Sequence, residues 1–135
     1  MKNQEIAKIF YEIADFLEME DIPFKPQAYR KAAITLETLE EDVAQIYKRG
    51  GRKALEKIPG IGKTLSERVE EYLKTGKIKY YQQLKKKIPV DIEEMVQVEG
   101  LGPKKIKALY QKLGIRNLKD LEKELLFSLG QVLQL

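Results

Sequence analysis

Apolar residues at Ile6, Ile9, Phe10, Ile13, Phe16 and Leu17 keep the three- and four-residue spacing of one helical face, which predicts an amphipathic helix over residues 3–19. DIPFKP breaks it with two prolines, and Tyr29, Ala32, Ala33, Leu36 and Leu39 then share the apolar face of a second helix through QAYRKAAITLETL. A third, short helix covers DVAQIYKRG and ends at Gly50-Gly51, after which RKALEK forms another. In GKTLSERVEEYLK the residues Leu65, Val69, Tyr72 and Leu73 face inward, and Gly76 is placed to cap the C-terminus. IKYYQQLKKK is a helix stopped by Pro89, and Asp91 is the N-cap of DIEEMVQV. Pro103 opens a helix that buries Ile106, Leu109, Tyr110 and Leu113 before Gly114 ends it. Asn117 caps the last helix, NLKDLEKEL. No stretch alternates at a period of two, so the chain reads as all-α. The apolar tail LLFSLGQVLQL fits a helix end, a truncated edge and a cloning remnant equally well.

Within this pattern one device is written twice. IPGIGKTLSERVEEYLKTG begins at Ile58 and VEGLGPKKIKALYQKLG at Val98, about 40 residues on. Each places an apolar residue two positions ahead of a Gly-x-Gly turn, and a basic helix follows that stops at another glycine. A helix start offers unpaired N–H groups and a partial positive charge, which suit a phosphate. Gly60, Gly62, Gly100 and Gly102 are open to conformations closed to other residues, and they let a sugar-phosphate strand come close to the backbone. Lys63 in the first copy, and Lys104 with Lys105 in the second, add charge where the phosphate would lie. A single Gly-x-Gly also serves to let two helices cross tightly; the repetition with flanking lysines favours the anion. A dinucleotide fold does not fit, because no strand precedes either turn and no third glycine completes its fingerprint.

Charge sharpens this reading. The 135 residues carry a formal net charge of +4, but residues 1–56 hold nine bases against eleven acids, leaving sixteen against ten for the remainder. Two windows have no acid at all: residues 72–90, with Lys74, Lys77, Lys79, Lys85, Lys86 and Lys87, and residues 100–119, with Lys104, Lys105, Lys107, Lys112, Arg116 and Lys119. A lysine run is often only a solvated face; its coincidence with the doubled turn points to a polyanion. At 43% hydrophobic and 34% charged residues the chain is a folded, heavily solvated protein. Without cysteine or histidine there is no disulfide, no ordinary zinc site and no histidine-based catalysis, so any catalysis must use Lys, Tyr or carboxylates. MKNQEIAKIF lacks an apolar signal core and no apolar run nears a membrane span, so a cytoplasmic protein with no membrane partner is expected.

QAYRKAA at residues 27–33, KIPGIGKTLSERVEEYLKTGKI, and VEGLGP with its following helix together resemble the N-terminal region of family X DNA polymerases, which includes DNA polymerase beta. The likeness is strongest to the bacterial and archaeal type and covers nearly the whole chain, with the two repeated segments resembling helix-hairpin-helix motifs. It implies small helical bundles: a lyase-type DNA-binding domain with the first hairpin over residues 1–88, and a second DNA-gripping hairpin subdomain over 89–135, truncated before any polymerase palm. It further implies sequence-independent grip on DNA at gaps, nicks or ends in base excision repair. Gly60, Gly62, Lys63 and Thr64 would hold the strand downstream of a gap, and Gly100, Gly102, Pro103, Lys104 and Lys105 the strand whose 3′ end is extended. The resemblance implies no cofactor other than Na+ or K+ at each hairpin when DNA is bound, held by the carbonyls of Glu56, Ile58 and Ile61, and of Val96, Val98 and Leu101. With no Asp-x-Asp pair to hold catalytic magnesium, this chain alone is not expected to polymerise.

The family's 5′-phosphate pocket is matched by Lys25, Tyr29 and Lys31, with Lys77 fitting its basic rim, but the chain also departs from it. Glu56, Thr64 and Tyr80 stand where animal members carry lysines, and Phe24 where a histidine packs on a template base. Tyr29 lies on an apolar helix face, so burial and phosphate contact are weighed equally for it. Arg68 stands at the position of the lysine that forms the Schiff base in animal members, beside the matching Glu67. A guanidinium stays protonated and supplies no free amine, so efficient lyase activity is not expected. Two alternatives remain open: a lyase using Lys25, Lys31 or Lys63, and a helical protein-interaction module.

Overall fold

The computed structural model describes residues 1–134, and among them every regular element is an α-helix. The chain divides into two compact units, Met1–Leu84 and Lys85–Leu135, with the boundary inside a helix.

The first unit holds α1 (Lys2–Met19), α2 (Lys25–Thr38), α3 (Val43–Glu56), α4 (Lys63–Thr75) and the start of α5 (Lys79–Lys87). α1 lies along α2 and α3 against α4, while α1 also touches α3 and α4. Ile6, Phe10, Ile13, Phe16 and Leu17 of α1 are all buried, as are Ala32, Ala33 and Leu36 of α2, each large side chain contributing about 1.5–3 kcal/mol. Pro26 does not only interrupt the chain: it sits in the first turn of α2, where its missing N–H costs nothing. The expected stop at Gly50-Gly51 is a kink inside α3, with Gly51 at φ 67° and ψ −162°, a combination essentially confined to glycine.

One polar side chain joins the two helix pairs. Asn3 is fully buried; its amide donates to the carbonyls of Glu41 at 2.9 Å and Leu39 at 3.4 Å, and its Oδ1 accepts the Val43 N–H at 2.8 Å. It thereby satisfies both the end of the α2–α3 link and the first N–H of α3. Arg30 is likewise committed to the fold, donating to Asp15 and Glu18 of α1 at 3.0 Å each.

The second unit contains the remainder of α5, then α6 (Ile92–Met95), α7 (Pro103–Leu113) and α8 (Leu118–Leu133). Asp91 and Asn117 cap α6 and α8 as expected, accepting the N–H groups of Glu94 at 3.1 Å and Asp120 at 2.8 Å. The Asp91 N–H donates to the Arg116 carbonyl at 2.7 Å, tying the start of α6 to the α7–α8 link. α7 buries Ile106 but not Leu113, which is 53% exposed because it lies in the final turn, just before the left-handed cap Gly114. The tail continues α8 through Leu133 rather than ending it at NLKDLEKEL, and Leu125, Leu126, Phe127, Leu129, Val132 and Leu133 are all exposed; Leu135 lies outside the described residues. No helix among the described residues is long and apolar enough to cross a membrane.

Removing the Asn3 side chain strands the buried Val43 N–H, at about 1–3 kcal/mol, and leaves two part-buried carbonyls that water can reach more cheaply. Asn3→Ala should therefore lower the unfolding free energy in urea by about 2–3 kcal/mol. A loss under about 0.5 kcal/mol would mean that these backbone groups find other partners.

Candidate nucleic-acid interface

The two copies of the sequence device are copies in geometry. The Ile61 N–H donates to the Ile58 carbonyl at 3.0 Å, and the Leu101 N–H to the Val98 carbonyl at 3.0 Å. Gly60 has φ 83° and Gly100 φ 81° in the third position of these turns, the left-handed requirement of a type II turn. Pro59 fits the second position of the first, and Glu99 fills it in the second copy. The next glycine in each copy, Gly62 or Gly102, is the N-cap residue of α4 or α7, and its carbonyl accepts the first helical bond, from Ser66 at 2.9 Å or Ile106 at 3.0 Å.

These second glycines correct the sequence-based expectation. Gly62 (φ −91°, ψ −161°) and Gly102 (φ −83°, ψ 175°) are extended, a conformation any residue adopts, and a Cβ at either would meet nothing within 4 Å. Only Gly60 and Gly100 are needed for their φ. Elsewhere Asp42, Asp91 and Asn117 cap helices through their side chains, whereas α4 and α7 have no side-chain cap hydrogen bond. Serine or asparagine at residues 62 and 102 would serve folding at least as well as glycine. What glycine alone provides there is bare backbone at the positive end of a helix.

Charged side chains surround both starts. Lys63 and Thr64 are exposed in the first turn of α4, as are Lys104 and Lys105 in that of α7, where Pro103 is the first helical residue. Lys31 lies against the first hairpin, with its Cγ 3.6 Å from where a Cβ on Gly60 would sit. Glu56 faces Arg52 at 3.9 Å, and Arg52 lies equally near Glu67 and Glu70.

Behind the first hairpin, Lys25, Ala28, Tyr29, Thr64, Leu65, Arg68 and Tyr80 line a cleft of about 280 Å³. Thr64 belongs to the first turn of the hairpin helix and Arg68 to the next, so cleft and hairpin share α4. Tyr29 is only 5% exposed and meets Phe10 edge-on with 5.3 Å between ring centres, so it is a core residue that also lines the cleft. Lys31 and Lys77 are not among the lining residues; Lys77 follows the left-handed cap Gly76, its N–H held by the Thr75 hydroxyl at 3.2 Å. Phe24 is 85% exposed at φ 67°, an aromatic ring held outward from the N-cap of α2.

Arg68 carries the least expected feature. Its guanidinium lies over the ring of Tyr80, 4.6 Å from the centre, and its Nε is buried with no acceptor among the described residues. Burial pushes the Tyr80 phenol up, with the neighbouring Tyr29 and Glu20 adding to the rise and Arg68 opposing it, so the hydroxyl stays protonated at neutral pH. Helical periodicity does not signal this stack, because its members belong to α4 and α5. Ser66 was also missed: it is fully buried, donating to the Lys63 carbonyl at 2.7 Å and so steadying the first turn of α4.

Comparison with known proteins agrees with the geometry. A family model described as a helix-hairpin-helix domain matches residues 1–78, and one described as a SAM-like helix-hairpin-helix tandem matches residues 92–128. Over 123 residues, 90% of this chain, the sequence is 31% identical to the DNA polymerase/3′-5′ exonuclease PolX of Bacillus subtilis (strain 168). The match covers 20% of that relative, so the chain spans about a fifth of its length. The likeness to family X polymerases read from the quoted motifs is borne out by this relative.

The two glycines of one hairpin should separate by mutation. Gly100→Ala forces a side chain into the left-handed region and should cost about 1–2 kcal/mol in thermal or urea unfolding. Gly102→Ser should change stability by no more than a few tenths of a kcal/mol. Equal losses would mean that both positions serve folding.

Proposed function

The chain belongs to the helix-hairpin-helix domain family, and on that premise we propose that it is a sequence-independent DNA-binding module that grips the sugar-phosphate backbone at gaps or ends. The observation that carries this reading is the recurrence of Gly62 and Gly102, glycines that the fold does not require, at two lysine-flanked helix starts. Backbone N–H groups there meet phosphate oxygens, the helix dipole favours the anion, and Lys63, Lys104 and Lys105 add full charges. None of these groups reaches a base edge by necessity, so the contacts position the duplex without reading sequence. The carbonyls of Ile58 and Val98 each use one lone pair in their turn bond and keep another. With the carbonyls of Glu56 and Ile61, and of Val96 and Leu101, they would supply the oxygens for a hard Na+ or K+ ion bridging to a phosphate.

In the same reading the cleft receives a terminal 5′-phosphate. Lys25 and Arg68 supply charge, and Phe24 outside the cleft offers a ring for a base to stack on. Arg68 holds a phosphate but forms no imine, so the cleft binds an end without cleaving it.

If about four to six phosphates are neutralised, the logarithm of affinity should fall against the logarithm of salt concentration with a slope of roughly −3 to −5. Titrations of gapped, nicked and intact duplexes at several salt concentrations measure this, with gapped DNA bound most tightly. Lys104→Glu with Lys105→Glu should weaken binding about tenfold or more and flatten the slope by roughly two. A flat salt response, or strong preference for one sequence, defeats the proposal.

Borohydride reduction on a 5′-abasic gapped substrate should trap little covalent adduct with the native chain. Arg68→Lys should trap more, since a lysine among other cations loses its proton nearer neutral pH. Strong trapping by the native chain that disappears in Lys25→Ala or Lys63→Ala would instead make this domain a lyase with a different nucleophile.

A further inference from the structure

Most arginines of the first unit are neutralised within the fold. Arg30 is held by Asp15 and Glu18, Arg49 by Glu41 at 2.7 Å, and Arg52 stands among Glu56, Glu67 and Glu70. Arg68 is treated differently: the neighbouring Glu67 faces Arg52, and the guanidinium of Arg68 rests on an aromatic ring. The distinction matters chemically. A carboxylate fixes a guanidinium by occupying its in-plane N–H donors, whereas a ring fixes it through its flat face and leaves those donors to a ligand. The Nε of Arg68 is buried without an acceptor among the described residues, so the donors that remain for a ligand are those of the two terminal nitrogens. An arginine without a stacking surface would have to be ordered by the ligand itself, which weakens binding.

From this geometry we propose that Tyr80 is a positioning residue for Arg68: its ring holds the guanidinium as a planar fork, and the pair distinguishes a 5′-phosphate from a 5′-hydroxyl end. The inference rests on the reading of the cleft as a terminal-phosphate site. A terminal phosphate carries close to two charges and three equivalent acceptor oxygens, which a fork engages two at a time; a hydroxyl end offers neither. Tyr80 and Arg68 thus act as one unit, the aromatic ring preorganising the charge that the guanidinium supplies.

The test is a set of affinities of the full chain for one gapped duplex carrying either a 5′-phosphate or a 5′-hydroxyl at the gap, at fixed salt, with circular dichroism to establish folding. The native chain should prefer the phosphate about tenfold or more, the worth of one or two charge-assisted hydrogen bonds. Arg68→Gln should bring the ratio close to one. Tyr80→Leu should lower it at least threefold, Tyr80→Phe should keep it within twofold because the ring face is retained, and the double variant should fall no further than Arg68→Gln alone. A native ratio in folded Tyr80→Leu beside a lost ratio in Arg68→Gln overturns the positioning role. Loss in Tyr80→Phe equal to that in Tyr80→Leu overturns it too, because the hydroxyl rather than the ring would then act. An unchanged ratio in Arg68→Gln overturns the proposal, because another cation of the cleft would then carry the preference; no preference in the native chain overturns the terminal-phosphate reading itself. Should Tyr80→Leu not fold, Arg68→Lys replaces it: an ammonium has no planar fork, so retained discrimination there rejects the proposal.

Discussion

The first N–H groups of a helix cannot be satisfied by the helix itself, and both hairpins of this protein are built around that constraint. A left-handed glycine closes the turn, one residue follows, and an extended glycine leads into the helix. The turn bond from Ile61 to Ile58, or from Leu101 to Val98, sets the angle at which the helix starts, so its unpaired donors are aimed by backbone geometry. Side chains then add charge without having to define direction. A site aimed by backbone alone tolerates variation in its flanking residues, which is how Pro59 and Glu99 occupy the same position of the same turn.

Signals confined to one helix end were legible in the sequence. Gly76 and Gly114 are left-handed caps, Asp91 and Asn117 are side-chain N-caps, and the break at Gly50-Gly51 survives as a kink. Interactions between residues distant along the chain were not. Asn3 capping α3 and Arg68 stacking on Tyr80 leave no periodic trace, because each depends on where two helices meet. Leu113 fits the apolar spacing of α7 yet is exposed, since a pattern of spacing says which face is apolar and not where the neighbour ends. Gly62 and Gly102 are a third kind of case: the letters are glycine, but only backbone angles reveal that the fold does not require them.

Arginine and lysine are used for different work here. In the first unit arginine mostly binds inward, to Asp15, Glu18, Glu41 and the glutamates around Arg52, where a planar fork meets a carboxylate. Lysine dominates the acid-free windows and the starts of α4 and α7, where a strongly hydrated point charge on a flexible stem suits an anion that has no single fixed position.

The sharing of α4 between the first hairpin and the cleft links two kinds of recognition. Lys63 and Thr64 stand at its start, Arg68 one turn later, and buried Ser66 between them holds the Lys63 carbonyl. A strand seated on the helix start and an end seated in the cleft would bear on one rigid piece of backbone, so each contact finds the other already oriented. The cleft's other walls, Lys25 and Tyr29 from α2 and Tyr80 from α5, are fixed by helix packing and by the edge-on contact of Tyr29 with Phe10. Asn3 secures the α2–α3 link that joins those walls to the hairpin. Asn3 thus ties α1 to the start of α3 from within the core, and the arrangement at the surface rests on those buried hydrogen bonds.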